Sequence, residues 1–194
     1  MLGIRHYALV AMPLRHVRKV AVVGGPGSGK STLAAAMAKV AGLPHVELDS
    51  LWWEAGWTPV DVATFQQRVK EAVAGQSWVI EGFYVEEAAE EFVWPVADVI
   101  LWLDLPRHVS VRRALRRSTT RVLRRTILWG TNTQSASILT PASVVRFIRR
   151  WPTYPARIGP SLAPLIGTRA VRLRSDRDVE EWLQRWRDER EAEE

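Results

Sequence analysis

Residues 19–32 read Lys19-Val20-Ala21-Val22-Val23-Gly24-Gly25-Pro26-Gly27-Ser28-Gly29-Lys30-Ser31-Thr32. An apolar run of buried-strand type meets a cluster of glycines, and an Ala- and Leu-rich segment without breakers then predicts a helix to Ala41. The segment from Gly24 to Ser31 matches the P-loop pattern of a glycine, four residues, Gly, Lys and Ser or Thr. The alternative is a glycine-rich turn before an ordinary helix, and the flanking strand and helix count against it.

A P-loop binds the phosphates of ATP or GTP through backbone N–H groups that point at them from the positive end of a helix. Glycines let the backbone approach the phosphates closely. We expect Lys30 to reach the β- and γ-phosphate oxygens, and the hydroxyl of Ser31 to ligate Mg²⁺. ATP and Mg²⁺ are therefore the predicted cofactors, and the predicted phosphate-binding residues are Gly25, Pro26, Gly27, Ser28, Gly29, Lys30, Ser31 and Thr32.

The rest of the chain alternates predicted strands and helices, which is typical of a parallel sheet covered on both faces. We predict a three-layer α/β fold with a parallel five-stranded sheet in one domain, residues 18–194, after an N-terminal extension, residues 1–17. Met12 is a second candidate for the start of translation. The predicted strands are 19–23, 45–48, 77–81, 97–103 and 170–174, and the predicted helices are 31–41, 61–74, 85–92, 106–117, one starting at Thr140-Pro141 and one capped by residues 175–178.

Composition narrows the class of protein and shows an uneven distribution of charge. The chain has 194 residues, 47% of them apolar, and no cysteine, which excludes disulfides and thiolate chemistry. No leader peptide or membrane anchor is evident, so we expect a cytoplasmic protein. The net charge is +6, and the segment from Leu105 to Ser175 contains fifteen Arg and no Asp or Glu. Such a segment calls for an anionic ligand, either nucleotide phosphates, nucleic acid or an acidic partner.

Several further motifs resemble those of adenylate-kinase-related P-loop kinases, and in particular the family of DNA topology modulation proteins. The resemblance covers nearly everything after Arg18 and implies a nucleoside monophosphate kinase-like fold with ATP-dependent phosphoryl transfer to an acceptor that it leaves open. It rests on the P-loop, on Leu48-Asp49-Ser50-Leu51-Trp52-Trp53 with Gly56-Trp57, on Trp78-Val79-Ile80-Glu81-Gly82-Phe83-Tyr84, on the segment from Asp98 to Pro106, and on Val171-Arg172-Leu173-Arg174-Ser175.

Two acidic residues follow neighbouring predicted strands. Adenylate kinases usually have Asp-Gly at the end of the third strand, where the carboxylate holds Mg²⁺ through water, and here the pair is Glu81-Gly82. Glu81 is thus a candidate metal residue, or else a plain acid at a strand end. The resemblance to small-molecule kinases such as shikimate kinase makes Asp49 a candidate base or orienting group for the acceptor hydroxyl. The alternative for Asp49 is a helix N-cap.

Tryptophans surround Asp49 in the sequence, and the acceptor region is predicted at about residues 49–75. Trp52, Trp53 and Trp57 offer flat apolar surfaces that can stack on an acceptor, and packing in the core is the equal alternative.

Arginines at spacings of three and four follow Pro106: Arg112, Arg113, Arg116 and Arg117. By resemblance to adenylate kinases, Arg113 and Arg117 face the ATP phosphates and stabilise the charge of the transition state. A short Arg-rich lid is predicted at about residues 118–143. The alternative for the whole segment is a solvated basic face. Further candidate clamps are Arg121, Arg124, Arg125, Arg146, Arg149 and Arg150.

These observations predict a small-molecule or nucleotide kinase in which Lys30, Asp49, Arg113 and Arg117 are catalytic. One alternative is a nucleic-acid-binding, ATP-dependent regulatory protein that uses the acid-free segment as its binding surface, although no readout motif supports it. Another is a simple ATPase, with water in place of the acceptor. The oligomeric state stays open.

Overall fold

The computed structural model describes residues 13–192, and its centre is a five-stranded parallel sheet with the order β2-β3-β1-β4-β7. A separate antiparallel hairpin is formed by β5 and β6. The predicted α/β fold with a parallel five-stranded sheet is thereby confirmed. The strands are β1 Lys19–Gly24, β2 His45–Glu47, β3 Trp78–Gly82, β4 Val99–Leu103, β5 Ile127–Leu128, β6 Asn132–Thr133 and β7 Ala170–Leu173.

Helices cover both faces of the sheet. The described part of the chain contains seven α-helices, one π-helix, Val85–Val93, and short 3-10 turns at Leu14–His16, Ala55–Trp57, Trp94–Val96, Ala136–Leu139 and Ala163–Leu165. The α-helices are α1 Lys30–Ala41, α2 Leu48–Trp52, α3 Val62–Val73, α4 Arg107–Leu123, α5 Pro141–Arg150, α6 Thr153–Leu162 and α7 Asp176–Glu191.

The sheet separates two apolar cores, because successive residues of a strand point to opposite faces. Val20 and Val22 of β1 pack in the core that α1 and α7 cover, where Trp182 and Trp186 are buried. Ala21 and Val23 pack in the other core, which includes residues of α3, α6 and the π-helix. Burial on both faces explains why β1 reads as a continuous apolar run.

Helix limits differ from the sequence prediction in the Arg-rich segment. The helix expected to end near Arg117 continues to Leu123, because no breaker lies between these positions. Helix α6 was not predicted, since it contains Pro160 within its span. The predicted start of α5 is confirmed, and the hydroxyl of Thr140 accepts a hydrogen bond from the backbone N–H of Ser143.

Part of the predicted N-terminal extension contacts the domain. Leu14 and Val17 are fully buried against the core beneath α7, and the Leu14 N–H donates to the Glu189 carboxylate at 2.7 Å. Residues 1–12, including the candidate start at Met12, lie outside the described residues. Within residues 13–192, no helix has the length and apolar character needed to span a membrane.

Candidate functional site: the P-loop and the adjoining cleft

The P-loop joins the end of β1 to the start of α1 through a backbone that requires glycine. Gly27 and Gly29 have positive φ angles of 79° and 96°, and Gly29 is the N-cap residue of α1. A Cβ atom on Gly27 would lie 2.1 Å from the carbonyl oxygen of Ser110 in α4. The glycine pattern therefore reflects both the turn and the close packing of α4 on the loop.

Lys30 and Ser31, at the start of α1, both approach the buried carboxylate of Glu81 at the end of β3. The Ser31 hydroxyl donates to Glu81 Oε1 at 2.6 Å, and Lys30 Nζ lies 3.9 Å from Glu81 Oε2. Burial raises the pKa of the Glu81 carboxyl above its usual value, and the charge of Lys30 and the hydrogen bond from Ser31 oppose this shift only in part. The structure thus brings these three predicted residues together.

The same group of residues has the donors that Mg²⁺ prefers. A hydroxyl and a carboxylate are hard oxygen ligands, and both lie at the N-terminus of α1 where nucleotide phosphates would be bound. Glu81 Oε2 is buried and accepts no hydrogen bond from any residue between 13 and 192. Ser31 and Glu81 therefore fit the role of Mg²⁺ residues, and a metal ion there would neutralise charge on the phosphates.

A cleft of about 520 Å³ extends from the P-loop toward β2 and the aromatic residues. Lys30 and Ser31 of the P-loop and Asp49 of α2 all line it. The remaining lining residues are Pro26, Glu47, Trp52, Trp53, Trp57, Phe83, Tyr84, Glu87, Arg117, Arg121, Trp129, Gln134, Arg150, Tyr154 and Arg157.

Asp49 lies in the first turn of the short helix α2, and its carboxylate is held by Tyr84. The N-cap position of α2 belongs to Glu47, so the N-cap alternative for Asp49 is wrong. The Tyr84 hydroxyl donates to Asp49 Oδ1 at 2.7 Å. Burial and the neighbouring Asp49 charge raise the pKa of the Tyr84 hydroxyl far above its usual value, so that it keeps its proton and continues to donate. Sequence reasoning did not assign Tyr84 this position.

The three predicted tryptophans line the cleft, but they do so in different ways. Trp52 packs at the edge of the core, with ring centroids 5.0 Å from Phe65 and 5.5 Å from Tyr84. Trp53 and Trp57 form an edge-to-face pair with centroids 5.6 Å apart. Trp52 therefore packs as the core interpretation predicts, whereas stacking of Trp53 and Trp57 on an acceptor stays a prediction.

The β5–β6 hairpin, which lies within the predicted lid, is hydrogen-bonded to residues on the acceptor side of the cleft. The Trp129 indole N–H, in the turn between β5 and β6, donates to Glu47 Oε2 at 3.0 Å. The buried Asn132 accepts from the Trp57 backbone N–H and donates to the Glu54 carbonyl, both at 2.8 Å. Gly130 could have indicated a turn here. No pattern in the sequence indicated which residues the hairpin would contact.

The arginines of the acid-free segment are divided between two cavities. Arg117, Arg121 and Arg150 line the cleft, and among residues 13–192 none of them forms a salt bridge. Burial and the nearby Arg117 charge lower the pKa of the Arg121 guanidinium. Arg157, which the sequence did not single out, also lines the cleft but is paired with Glu86 at 2.7 Å.

Arg113 does not line the same cavity as Arg117. Its guanidinium forms a salt bridge of 2.7 Å with Asp176 and lines a second cavity of about 380 Å³, together with Ser28, Gly29 and Thr32. Both were predicted to face the ATP phosphates, and in this structure they line different cavities because Asp176 at the start of α7 pairs with Arg113. The other arginines of the predicted stripe and the other predicted clamps line neither of these two cavities: Arg112 and Arg116 of the stripe, and the clamps Arg124, Arg125, Arg146 and Arg149.

The fold is that of P-loop kinases. It is similar to shikimate kinase from Acinetobacter baumannii in complex with shikimate, with a TM-score of 0.56 at 12% identity over 88% of this chain and 91% of that chain. It is also similar to a gluconokinase from Sinorhizobium meliloti 1021, with a TM-score of 0.55 at 16% identity over 92% and 94%. A shikimate kinase from Bacteroides thetaiotaomicron gives 0.53 at 17% identity over 89% and 97%.

No model of a protein family and no curated protein sequence matches the chain. The likeness at these low identities concerns the fold. The resemblance to DNA topology modulation proteins stays a prediction, as do the roles of the individual site residues.

Proposed function

We propose that the protein catalyses ATP- and Mg²⁺-dependent phosphoryl transfer to a small-molecule acceptor. One observation carries the proposal: a single cleft runs from Lys30 and Ser31 of the P-loop to the oriented carboxylate of Asp49. Its volume of about 520 Å³ lies in the range of small-molecule sites. The fold it shares with shikimate kinase and gluconokinase agrees with this class of reaction.

In the proposed reaction, the P-loop backbone and Lys30 hold the ATP phosphates. Ser31 and Glu81 support Mg²⁺, which neutralises developing charge on the phosphates. The second cavity, which Gly29, Thr32 and Arg113 line, is the proposed place of the nucleoside. We assign Arg113 a role in nucleotide binding because it lines this cavity. When a nucleotide binds, Arg113 would either break its salt bridge with Asp176 or keep it.

Asp49 is the proposed group that orients or deprotonates the acceptor hydroxyl. The hydrogen bond from Tyr84 fixes the Asp49 carboxylate and leaves Oδ2 for the acceptor. Arg117, Arg121 and Arg150 would stabilise the transferring phosphoryl group or a negative charge of the acceptor, because they line the cleft and have no carboxylate partner among the described residues. The proposed acceptors are nucleoside monophosphates and other small hydroxy metabolites.

The position of these arginines favours a kinase over a nucleic-acid-binding protein. A groove that binds nucleic acid tracks an extended backbone, whereas Arg117, Arg121 and Arg150 line the one cleft that also contains Lys30 and Asp49. The test of the kinase proposal is a thermal-shift screen of nucleoside monophosphates and hydroxy acids with Mg²⁺ and a non-hydrolysable ATP analogue. Compounds that raise the Tm are then assayed for acceptor-dependent ADP formation.

Lys30→Ala provides the decisive variant, and Lys39→Ala is its matched control, since Lys39 is exposed on the same helix. We expect Lys30→Ala to abolish transfer while the protein stays folded, and Lys39→Ala to keep the wild-type rate. ATP turnover that no acceptor accelerates would instead identify a simple ATPase. DNA affinity that falls steeply with salt, without acceptor-dependent turnover, would favour the nucleic-acid alternative.

A further inference from the structure

Beneath α1, beside the proposed Mg²⁺ position, three potential metal ligands meet on one face of the sheet. His45 and Glu47 are alternate residues of β2 and so point to the same face. Glu47 is the direct register partner of Glu81 in the parallel pair of β2 and β3. The ligand atoms of these three side chains all lie within 4.8 Å of one another.

Two atoms of this cluster lack the partners that buried polar atoms normally have. His45 Nε2 is buried and has no hydrogen-bond partner among residues 13–192, and the same holds for Glu81 Oε2 on a side chain that is 2% exposed. Lys30 Nζ, at 3.9 Å from Glu81 Oε2, is beyond hydrogen-bond distance. An unpartnered imidazole nitrogen beside two carboxylates calls for a bound ligand.

We propose that, in the nucleotide-free protein, His45 Nε2, Glu47 and Glu81 bind a divalent first-row transition ion such as Zn²⁺, with Glu81 shared between this site and the proposed Mg²⁺ site. Imidazole nitrogen suits Zn²⁺ and its neighbours in the series, whereas Mg²⁺ prefers oxygen donors and retains its waters. In a tetrahedral zinc site the donor atoms lie about 3.4 Å apart. Small side-chain movements would bring the ligand atoms from their present separations, which are up to 4.8 Å, to this distance.

Both carboxylates of the proposed site already accept hydrogen bonds from neighbouring side chains. The Trp129 N–H donates to one oxygen of the Glu47 carboxylate, and the Ser31 hydroxyl donates to Glu81 Oε1. Hydrogen bonds of this kind orient the carboxylates that ligate metals. The ion would thus link β2 and β3 to the hairpin that carries Trp129, and it would neutralise two adjacent carboxylates.

The test is calorimetric titration of Zn²⁺ into the nucleotide-free protein at neutral pH, with Mg²⁺ in excess. We expect one site that Mg²⁺ does not displace. His45→Gln should lower the Zn²⁺ affinity at least about tenfold, because it removes the only nitrogen ligand of the proposed set. His108→Gln is the matched control, since His108 is exposed and remote in sequence, and it should leave the affinity unchanged.

X-ray absorption at the zinc edge of the wild-type protein provides a second measurement, which does not depend on the variants folding. It should show one imidazole with oxygen ligands. The proposal is overturned if the wild-type protein binds no Zn²⁺ in excess Mg²⁺, or if His45→Gln binds it as tightly as wild type. An absorption spectrum without imidazole would overturn it as well. Because the nucleotide-free protein is used, such a failure would leave the proposed kinase function intact.

Discussion

The two halves of the cleft are built by different means. The phosphate half consists of consecutive residues, 24–32, whose backbone is packed so closely that a Cβ on Gly24 or Gly27 would lie under 3 Å from neighbouring atoms. The acceptor half consists of side chains from separate elements, including α2, α4, α6 and the β5–β6 hairpin. Phosphate recognition by a backbone is encoded locally, whereas acceptor recognition depends on the tertiary fold.

The acceptor half also contains backbone with positive φ angles, but at bulky residues, whereas in the phosphate half such angles occur at glycines. Trp57 and Trp129 have φ angles of 59° and 41°, in a region that bulky residues rarely adopt. Asn132 and the indole hydrogen bonds hold both residues in place. Such strain persists only where surrounding contacts determine it, which is typical of ligand sites. The following predictions test this difference between a backbone site and a side-chain site.

Gly27→Ala should have the largest effect, because it affects the backbone of the phosphate half. The new Cβ would overlap the Ser110 carbonyl and would sit at a φ of 79°. We expect the free energy of unfolding to fall by about 3 kcal/mol or more, together with loss of ATP binding. Urea denaturation and nucleotide titration measure the two effects.

Gly42→Ala is the matched control for Gly27→Ala. Gly42 also has a positive φ, of 61°, but a Cβ there would meet no atom within 4 Å. It should lower stability by only about 1–2 kcal/mol, the cost of the left-handed conformation alone, and should leave ATP binding intact. Equal losses in both variants would show that close packing on α4 contributes nothing.

Asp49→Asn should affect the acceptor half without affecting the phosphate half. Asparagine keeps the size of the side chain and still accepts the hydrogen bond from Tyr84, but it removes the negative charge that would orient or deprotonate an acceptor. We expect kcat for the acceptor identified in the screen to fall about 10²–10⁴-fold, with ATP affinity unchanged. Steady-state kinetics and nucleotide titration are the measurements.

Tyr84→Phe sharpens the same prediction. It removes the hydroxyl that holds Asp49 and leaves the charge in place, so kcat should fall less than in Asp49→Asn. If Asp49→Asn keeps the wild-type kcat, Asp49 is not the acceptor group.

Asn132→Ala should loosen the hairpin from the acceptor loop. The variant leaves the Trp57 N–H and the Glu54 carbonyl without the partner that Asn132 supplies. We expect stability to fall by about 1–3 kcal/mol and amide exchange of residues 127–133 to accelerate. Thr133→Ala is the control, because only its backbone carbonyl accepts from Trp57 Nε1. If amide exchange in Asn132→Ala is unchanged, the hydrogen bonds of Asn132 do not hold the hairpin on the acceptor side.

Asn132 also shows where prediction from the sequence ends. The P-loop, the parallel sheet and the meeting of Ser31 with Glu81 follow from local patterns and from the rule that strand ends share one edge of a sheet. Asn132 carries no such pattern, since its partners lie more than 70 positions away in the chain.

Arg113 and Arg117 illustrate the same limit. The resemblance to adenylate kinases implied that both face the ATP phosphates, and in this structure a carboxylate from α7 pairs with Arg113. Helical spacing places side chains on a face, but it does not identify the charges that neighbouring elements bring to that face. The contacts of Trp129 and Tyr84 were missed for the same physical reason.

Glu81→Gln should have the smallest effect, a gain in stability of the metal-free protein. Because burial raises the pKa of Glu81, the folded protein holds this proton more tightly than the unfolded chain does. The contribution of Glu81 to stability is therefore complete below its usual pKa of 4.5 and is lost as the pH rises through the raised value. At pH 7, neutral glutamine should be more stable than ionised glutamate by about 1 kcal/mol.

Urea denaturation in EDTA at neutral pH and near pH 5 measures this difference, which should shrink as the pH falls because Glu81 then becomes protonated. Glu91→Gln, an exposed acid on the π-helix, should show no such gain. If Glu81→Gln is instead less stable than wild type at pH 7, the attraction between Lys30 and Glu81 outweighs the burial of the charge. In that case the Lys30–Glu81 ion pair stabilises the phosphate half even without nucleotide. The buried charge of Glu81 would then not be a cost that Mg²⁺ binding relieves.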